Sequence, residues 1–400
     1  MSARRSILTI GILLWANGAA AQLSAGDALR AILFEDEGGA LTANTKTVLY
    51  ELLLDETTMF PTGTSAGGFT WSFDDTLRVP VRRNRSFGPM FAERPFTTGK
   101  GRLNVGAAFQ HTTFSSVGGV PITNIETSTR LATGEVYSSS SSLNVQLDRT
   151  IVSATYGLHD RIDVAAIVPL GSSRVSGYSR WLTRVNGVED SGRNDSSGSS
   201  FGIGDILLRT KVAVIASEYF DAAAAIDIRL PSGDPEKLLG TGFTQARVMF
   251  IGGTTVGTVN PHVNLGYTFG GDGMTFGPDT RFEDAEGDPE LIDRQSSAEF
   301  NYTAGADIAI TPRLTIAGDI VGRVVKNSAG LTFTDAGSGG GNQYLGSRIE
   351  PGSVHKLLGA VGAKFSVGGA WLLTGTVLFP LKDGGIKPAV TPVIGFERAF

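Results

Sequence analysis

A chain of 400 residues with 41% hydrophobic and 18% charged positions has room for two soluble domains or one large barrel. Its 53 glycines stand well above the usual share of roughly 7% and argue against an α-rich fold. With 34 basic against 39 acidic residues, a net charge of -5 and no cysteine, it lacks the basic footprint of a nucleic-acid binder and excludes disulfides, thiolate nucleophiles and cysteine metal sites.

Arg4 and Arg5 precede an apolar stretch over 7–15 and the small residues Ala19, Ala20 and Ala21. That order predicts a secretory signal over 1–21, cleaved between Ala21 and Gln22. Asn17 and Gly18 interrupt the stretch well short of the roughly 20 residues a membrane anchor needs. Two amphipathic helical patterns follow, 27–35 and 45–55, the second carrying Val48, Leu52 and Leu53 at helical spacing. From 60 to 98 the chain turns to Gly, Pro, Ser and aromatics, with a hairpin expected around 68–87. Residues 22–98 therefore read as a helical and hairpin segment, periplasmic or lodged in a lumen as a plug, ahead of a barrel over 99–400.

Beyond Lys100, apolar and polar residues alternate in about twelve segments: 101–115, 142–157, 161–175, 202–216, 219–230, 242–253, 257–270, 298–310, 313–325, 354–367, 370–382 and 388–400. Long connections (116–141, 176–201, 231–241, 271–297, 326–353) alternate with tight ones near His159, Ser217, Thr255, Pro312 and Gly368; the hairpin at Asp383, Gly384 and Gly385 is short where a long loop is expected. Outer-membrane barrels have short periplasmic turns and longer external loops. The fold expected is all-β, a transmembrane outer-membrane barrel of about 12 antiparallel strands with both ends on the periplasmic side.

Side chains alternate sides along a strand. In 219–230, Ala222, Ala224, Ile226, Ile228 and Leu230 oppose Asp227 and Arg229; in 202–216, Ile206, Leu208, Val212 and Val214 oppose Asp205, Arg209 and Lys211; in 313–325, Leu314, Ile316, Ile320 and Val324 oppose Asp319 and Arg323. An Arg or Lys at the lipid midplane costs roughly 2 to 4 kcal/mol, so the apolar face is assigned to lipid. The expected lumen-lining residues are Asp205, Arg209, Lys211, Asp227, Arg229, Arg247, Asp307, Asp319 and Arg323. Six of them, Asp205, Arg209, Lys211, Asp227, Arg229 and Arg247, come from three successive strands and could form a charge ladder in the pore. Such a ladder either neutralises itself and stiffens the wall or selects a solute. Tyr267, Phe269, Phe300, Tyr302, Trp371 and Phe379 near strand ends fit interfacial girdles.

Other chemistry is thinly represented. His111, His159, His262 and His355 show no paired metal spacing, no G-x-S-x-G elbow occurs, and no helix follows Gly202-Ile203-Gly204 as a nucleotide loop requires. No catalytic, cofactor or metal site is expected, and the chain is not read as an enzyme. The acidic run Glu283, Asp284, Glu286, Asp288, Glu290 and Asp293 reads as a solvated external loop, with calcium or ion-bridged lipopolysaccharide as the alternative.

The stretch from Gly202 to Lys211 (Gly-Ile-Gly-Asp-Ile-Leu-Leu-Arg-Thr-Lys), then Arg229-Leu230-Pro231-Ser232-Gly233-Asp234 and Leu239-Gly240-Thr241-Gly242, resembles the MetA-pathway of phenol degradation family of outer-membrane transporters. So do Ser65-Ala66-Gly67-Gly68-Phe69, Ser86-Phe87-Gly88-Pro89 and Gly99-Lys100-Gly101-Arg102. The resemblance implies a link to aromatic catabolism. Physically, Pro231 ends a strand and Gly233 with Asp234 starts a loop. The final strand, with Phe400 preceded at two-residue steps by Arg398, Phe396 and Ile394, resembles the signal read by the outer-membrane assembly machinery; Arg398 departs from it, since a hydrophobic residue is usual there. The expected function is passage of small solutes, hydrophobic or aromatic compounds included, through a narrow lumen in the cell outer membrane. Lipid and lipopolysaccharide would be its surroundings, and nucleic acid no partner. The alternative is a structural or adhesive barrel whose external loops bind something outside.

Overall fold

The computed structural model describes residues 23–35, 43–59, 61, 68–74, 79–82, 85–130, 134–217, 219–277, 291–335, 345–382 and 384–400. The expected signal, Ser65, Ala66, Gly67, Asp383 and residues 283–290 of the acidic run lie outside the described residues.

Two helices come first, α1 (Ala25–Phe34) and α2 (Ala43–Met59), then a hairpin of β1 (Trp71–Asp74) and β2 (Val79–Arg82). Ser24 caps α1 by accepting from the Asp27 amide at 3.0 Å. One face of α1 buries Ala28, Leu29, Ile32 and Leu33, while Asp27 and Arg30 pair on the other. Helix α2 buries Val48, Leu49, Leu52 and Leu53 together with Thr45, Lys46, Glu56 and Thr57, because it is covered on several sides.

The strands follow: β3 (Leu103–Val117), β4 (Val120–Pro121), β5 (Ile125–Arg130), β6 (Val136–His159), β7 (Ile162–Val185), β8 (Val188–Ile203), β9 (Ile206–Ala216), β10 (Asp221–Leu230), β11 (Gln245–Gly253), β12 (Val259–Phe276), β13 (Leu291–Thr311), β14 (Leu314–Asp335), β15 (Leu345–Gly368), β16 (Trp371–Lys382), β17 (Ile386–Pro388) and β18 (Thr391–Ala399). Twelve of them form an antiparallel wall in the order β3, β6, β7, β9, β10, β11, β12, β13, β14, β15, β16, β18, and the pairing of β18 with β3 closes it. Closure satisfies the backbone without free edges, the condition lipid imposes on strands. Leu103 and Phe400 exchange both backbone hydrogen bonds at the seam, so the start of the first wall strand and the end of the last meet at the tight-turn end of the barrel.

The outward face carries Leu208, Val212, Ile226, Val248, Phe250, Leu265, Ile316, Ile320, Val377 and Ile394, all exposed. An exposed apolar belt this continuous fits hydrocarbon and not water. Among the expected girdle aromatics, Phe269, Phe300 and Trp371 are exposed on it.

The expected long loops are mostly strand. Strands β6, β7, β14 and β15 run 22 to 24 residues, and β8 pairs with β7 over most of 188–203. Beyond the apolar belt the outward face meets water, so serine, asparagine and charge take the place of its apolar residues. The period-2 signal fades there while the hydrogen-bond ladder continues. The inward faces of these extensions stay apolar: Ile125, Leu143, Val145, Leu147, Val175, Leu331 and Ile349 pack with α1 and α2 into one buried cluster inside the long-loop end.

Candidate functional site

Residues 85–98 have no helix or strand of their own, so their backbone groups need partners from elsewhere. Inward side chains of the wall supply them. Asp319 on β14 accepts from the Met90 and Phe91 amides at 2.9 and 2.7 Å, and from His262 Nε2 at 2.7 Å. Thr315 Oγ1 accepts from the Phe87 amide at 2.9 Å. Asn264 on β12 binds Glu93 at both backbone positions, accepting at 2.6 Å and donating at 3.0 Å. Asp163 on β7 accepts from the Thr98 amide at 2.9 Å. Asp307 on β13 accepts from the Ser86 hydroxyl and, at 2.7 Å, from Asn260. Arg94, fully buried, donates to the carbonyls of Ser86 and Gly68; burial lowers its pKa against the pull of Asp307 and Glu397. It packs against Gly88 so closely that a Cβ there would lie 2.6 Å from Arg94 Cδ, and Gly88 has φ +85°.

Next to this layer is a charge cluster centred on Asp227. Register sets Arg209, Asp227 and Arg247 side by side across β9, β10 and β11. Asp227 takes two bonds from Arg209, at 2.6 and 2.9 Å, and two from Arg247, one of them at 2.9 Å. The remaining Arg209 nitrogen reaches Glu93. Lys211 lies 3.6 Å from Asp163 and 4.0 Å from Glu93. Arg209, Lys211 and Asp227 are thus buried in compensated ion pairs, which bind residues 93–98 to the wall.

Nearer the long-loop end, α2 meets its own set of charges. Arg294 bridges Glu51 at 2.7 Å and Asp55 at 2.8 Å, while Glu56 pairs with Lys356 and lies 3.8 Å from Arg323, which also faces Glu299 at 3.6 Å. Burial raises the Glu51 pKa, opposed by Arg294. Between α2 and residues 91–93 is a cavity of about 170 Å³ reached by Phe91, Leu207, Arg229, Gln245, Arg247 and Met249.

Three of the expected lumen-lining residues, two of them from the ladder, behave differently from the rest. Asp205 stands at the break between β8 and β9 and accepts from Thr241 N at 2.8 Å, Thr241 Oγ1 at 2.7 Å and Gly233 N at 3.1 Å. It therefore anchors the loop 231–244 and takes no part in the Asp227 cluster. Ser232 completes the joint, donating to Gly204 O at 2.8 Å and accepting from Ile206 N at 2.9 Å. Arg229 has no ion pair or hydrogen bond among the described residues. Arg323 belongs to the α2 set. Sequence reading missed Glu93, Arg94, Asp163, His262 and Asn264 as partners. Asp163, His262 and Asn264 sit at inward positions that alternation could have marked, whereas Glu93 and Arg94 lie in a segment with no periodicity to read.

A closed strand wall with an apolar belt outside and ionised groups inside defines a transmembrane β-barrel of the outer-membrane type. The chain belongs to the family described as "Putative MetA-pathway of phenol degradation", whose model matches residues 126–348. Comparison with curated proteins finds no match. Among solved structures, it is similar to the COG4313 outer membrane channel from Pseudomonas putida F1, at 13% identity and TM-score 0.45, covering 76% of this chain and 97% of that one. The translocator domain of the autotransporter NalP from Neisseria meningitidis aligns at 12% identity and TM-score 0.38, over 76% of this chain and 89% of that one. The CymD monoaromatic hydrocarbon channel aligns at 9% identity and TM-score 0.35, over 76% and 89%.

Proposed function

We propose that the protein is an outer-membrane channel for small solutes, hydrophobic or aromatic compounds among them, whose lumen is occupied by its own segment over 22–98 and opens when that segment shifts. The observation that carries this reading is the way residues 86–98 are held. Wall carboxylates and amides bind their backbone through polar bonds that water can replace, with a cavity beside them. A phenol-degradation family and a relative named as a monoaromatic hydrocarbon channel support aromatic compounds as the solute class. On this reading the chain has no catalytic role, lipopolysaccharide surrounds the external rim, and the assembly machinery engages the strand ending at Phe400. In planar bilayers the purified protein should conduct, and deletion of residues 23–98 should enlarge the conductance. If neither occurs, the strand extensions beyond the apolar belt favour the other reading, a surface barrel that binds a partner outside.

A further inference from the structure

On the channel reading, the cavity is where a solute pauses, and its walls define what fits. Phe91, Leu207 and Met249 make one apolar side. The whole lining holds six basic side chains (Arg209, Arg229, Arg247, Arg323, Lys356, Lys382) against four acidic ones (Glu56, Glu93, Asp227, Glu299), an excess of 6 - 4 = 2 positive charges. Each acidic group is engaged: Asp227 and Glu93 by Arg209, Arg247 and Lys211, and Glu56 and Glu299 by Lys356 and Arg323.

Lys382 is exposed and lies 3.3 Å from His355 Nδ1, which leaves Arg229 as the enclosed excess cation. It projects to the same inward face as Asp227, two positions along β10, and makes no hydrogen bond or ion pair among the described residues, Asp205 and Glu299 acting on it only from beyond contact distance. Directly across from it in register is Gln245, 6% exposed, whose side-chain oxygen has no hydrogen bond. Arg229 and Arg149 also border a smaller adjoining pocket, where the one carboxylate, Asp205, is committed to Thr241 and Gly233. An enclosed guanidinium whose nearest carboxylates lie beyond contact is costly, and an anion bound directly to it relieves that cost.

We propose that this cavity is a binding site for a small organic monoanion: a carboxylate gripped by the two-pronged guanidinium of Arg229, on a compact apolar body packed against Phe91 and Met249. The geometry of guanidinium and carboxylate favours paired hydrogen bonds. The size fits as well, since a dry cavity of about 150 Å³ accommodates benzene.

The test is calorimetric titration of the purified full-length protein in detergent with benzoate and with benzyl alcohol, its neutral counterpart in size. Benzoate should bind saturably, and benzyl alcohol about tenfold more weakly or worse, the size of one charge-assisted contact. Arg229→Gln should weaken benzoate by about tenfold and leave benzyl alcohol unchanged, with Arg229→Lys between them. Arg313→Gln, on an exposed turn, should change nothing. Arg229 has no hydrogen bond or ion pair to lose among the described residues, so the variants should keep a melting temperature close to wild type. Equal affinity for the two ligands, or benzoate binding indifferent to Arg229, overturns the proposal. Benzoate flux into liposomes, measured in parallel, separates the two readings. Arg229-dependent binding without flux sinks the channel and leaves the site standing; flux without such binding sinks the site alone.

Discussion

Replacing Asp319 by alanine removes the acceptor for two consecutive amides, Met90 and Phe91, and for His262 Nε2, at a side chain with no solvent exposure. Hydrogen bonds to an ionised group contribute about 1.5 to 3 kcal/mol each. Two backbone bonds at the low end, the appropriate choice because freed amides can bind water, give about 3 kcal/mol. At 1.4 kcal/mol per decade this raises the population of the detached segment by about a hundredfold. Hydrogen exchange read by mass spectrometry reports that population directly, through the Met90 and Phe91 amides. Exchange there should speed up by about two decades, while the β13 and β14 ladder keeps its protection. Asp319→Asn, which preserves one acceptor oxygen, should show a smaller effect. Unchanged exchange at Met90 and Phe91 in the alanine variant would refute the claim that wall carboxylates hold this segment.

Other substitutions probe other layers. Arg209→Met leaves Asp227 to Arg247 alone and Glu93 to Lys211 at 4.0 Å, and should destabilise the barrel by about 3 kcal/mol, the low end for breaking a buried pair, read as a lower unfolding temperature. Ile226→Arg, on the apolar belt, should cost about 2 to 4 kcal/mol in reversible folding into vesicles, against little change for arginine at the water-exposed Ser176. Because the folded pKa of Glu51 lies above its unfolded value, the docked helix takes up a proton more readily than the free chain. Its contribution to docking is therefore fully present below the unfolded pKa and is lost as pH rises through the folded one. Proteolysis of α2 should accordingly slow as pH falls through that window, and Glu51→Gln should flatten the dependence. Asp205→Ala should release the loop 231–244, giving new protease cleavage there with the strand ladder intact.

The barrel was legible because lipid and closure impose strict rules on sequence. Ile226 against Asp227 and Ile320 against Asp319 sort to opposite faces, and no alternative packing tolerates that split over so many strands. Strand ends were not legible. In 188–203, Asp190, Ser191, Arg193 and Asn194 alternate polar with polar, so pairing with β7 rests on backbone bonds that leave no mark on composition. The Asp227 ladder could be anticipated from like positions on neighbouring strands, since register brings inward residues together. Glu93 could not, because an irregular segment takes its position from its partners. Asp205 misled for a related reason. It shares the strand alternation of Arg209, but the chain breaks step between β8 and β9, and its carboxylate turns to Thr241.

The residues that fasten 85–98 bear on the order of assembly. The segment is made before the first wall strand, yet its partners Thr315 and Asp319 come late in synthesis. Its docking must wait until β14 is in place, while the seam between β18 and β3 shuts around it. A truncated or misregistered wall would leave these amides unsatisfied, so the interior contacts act as a proofreading step that only a completed barrel can pass.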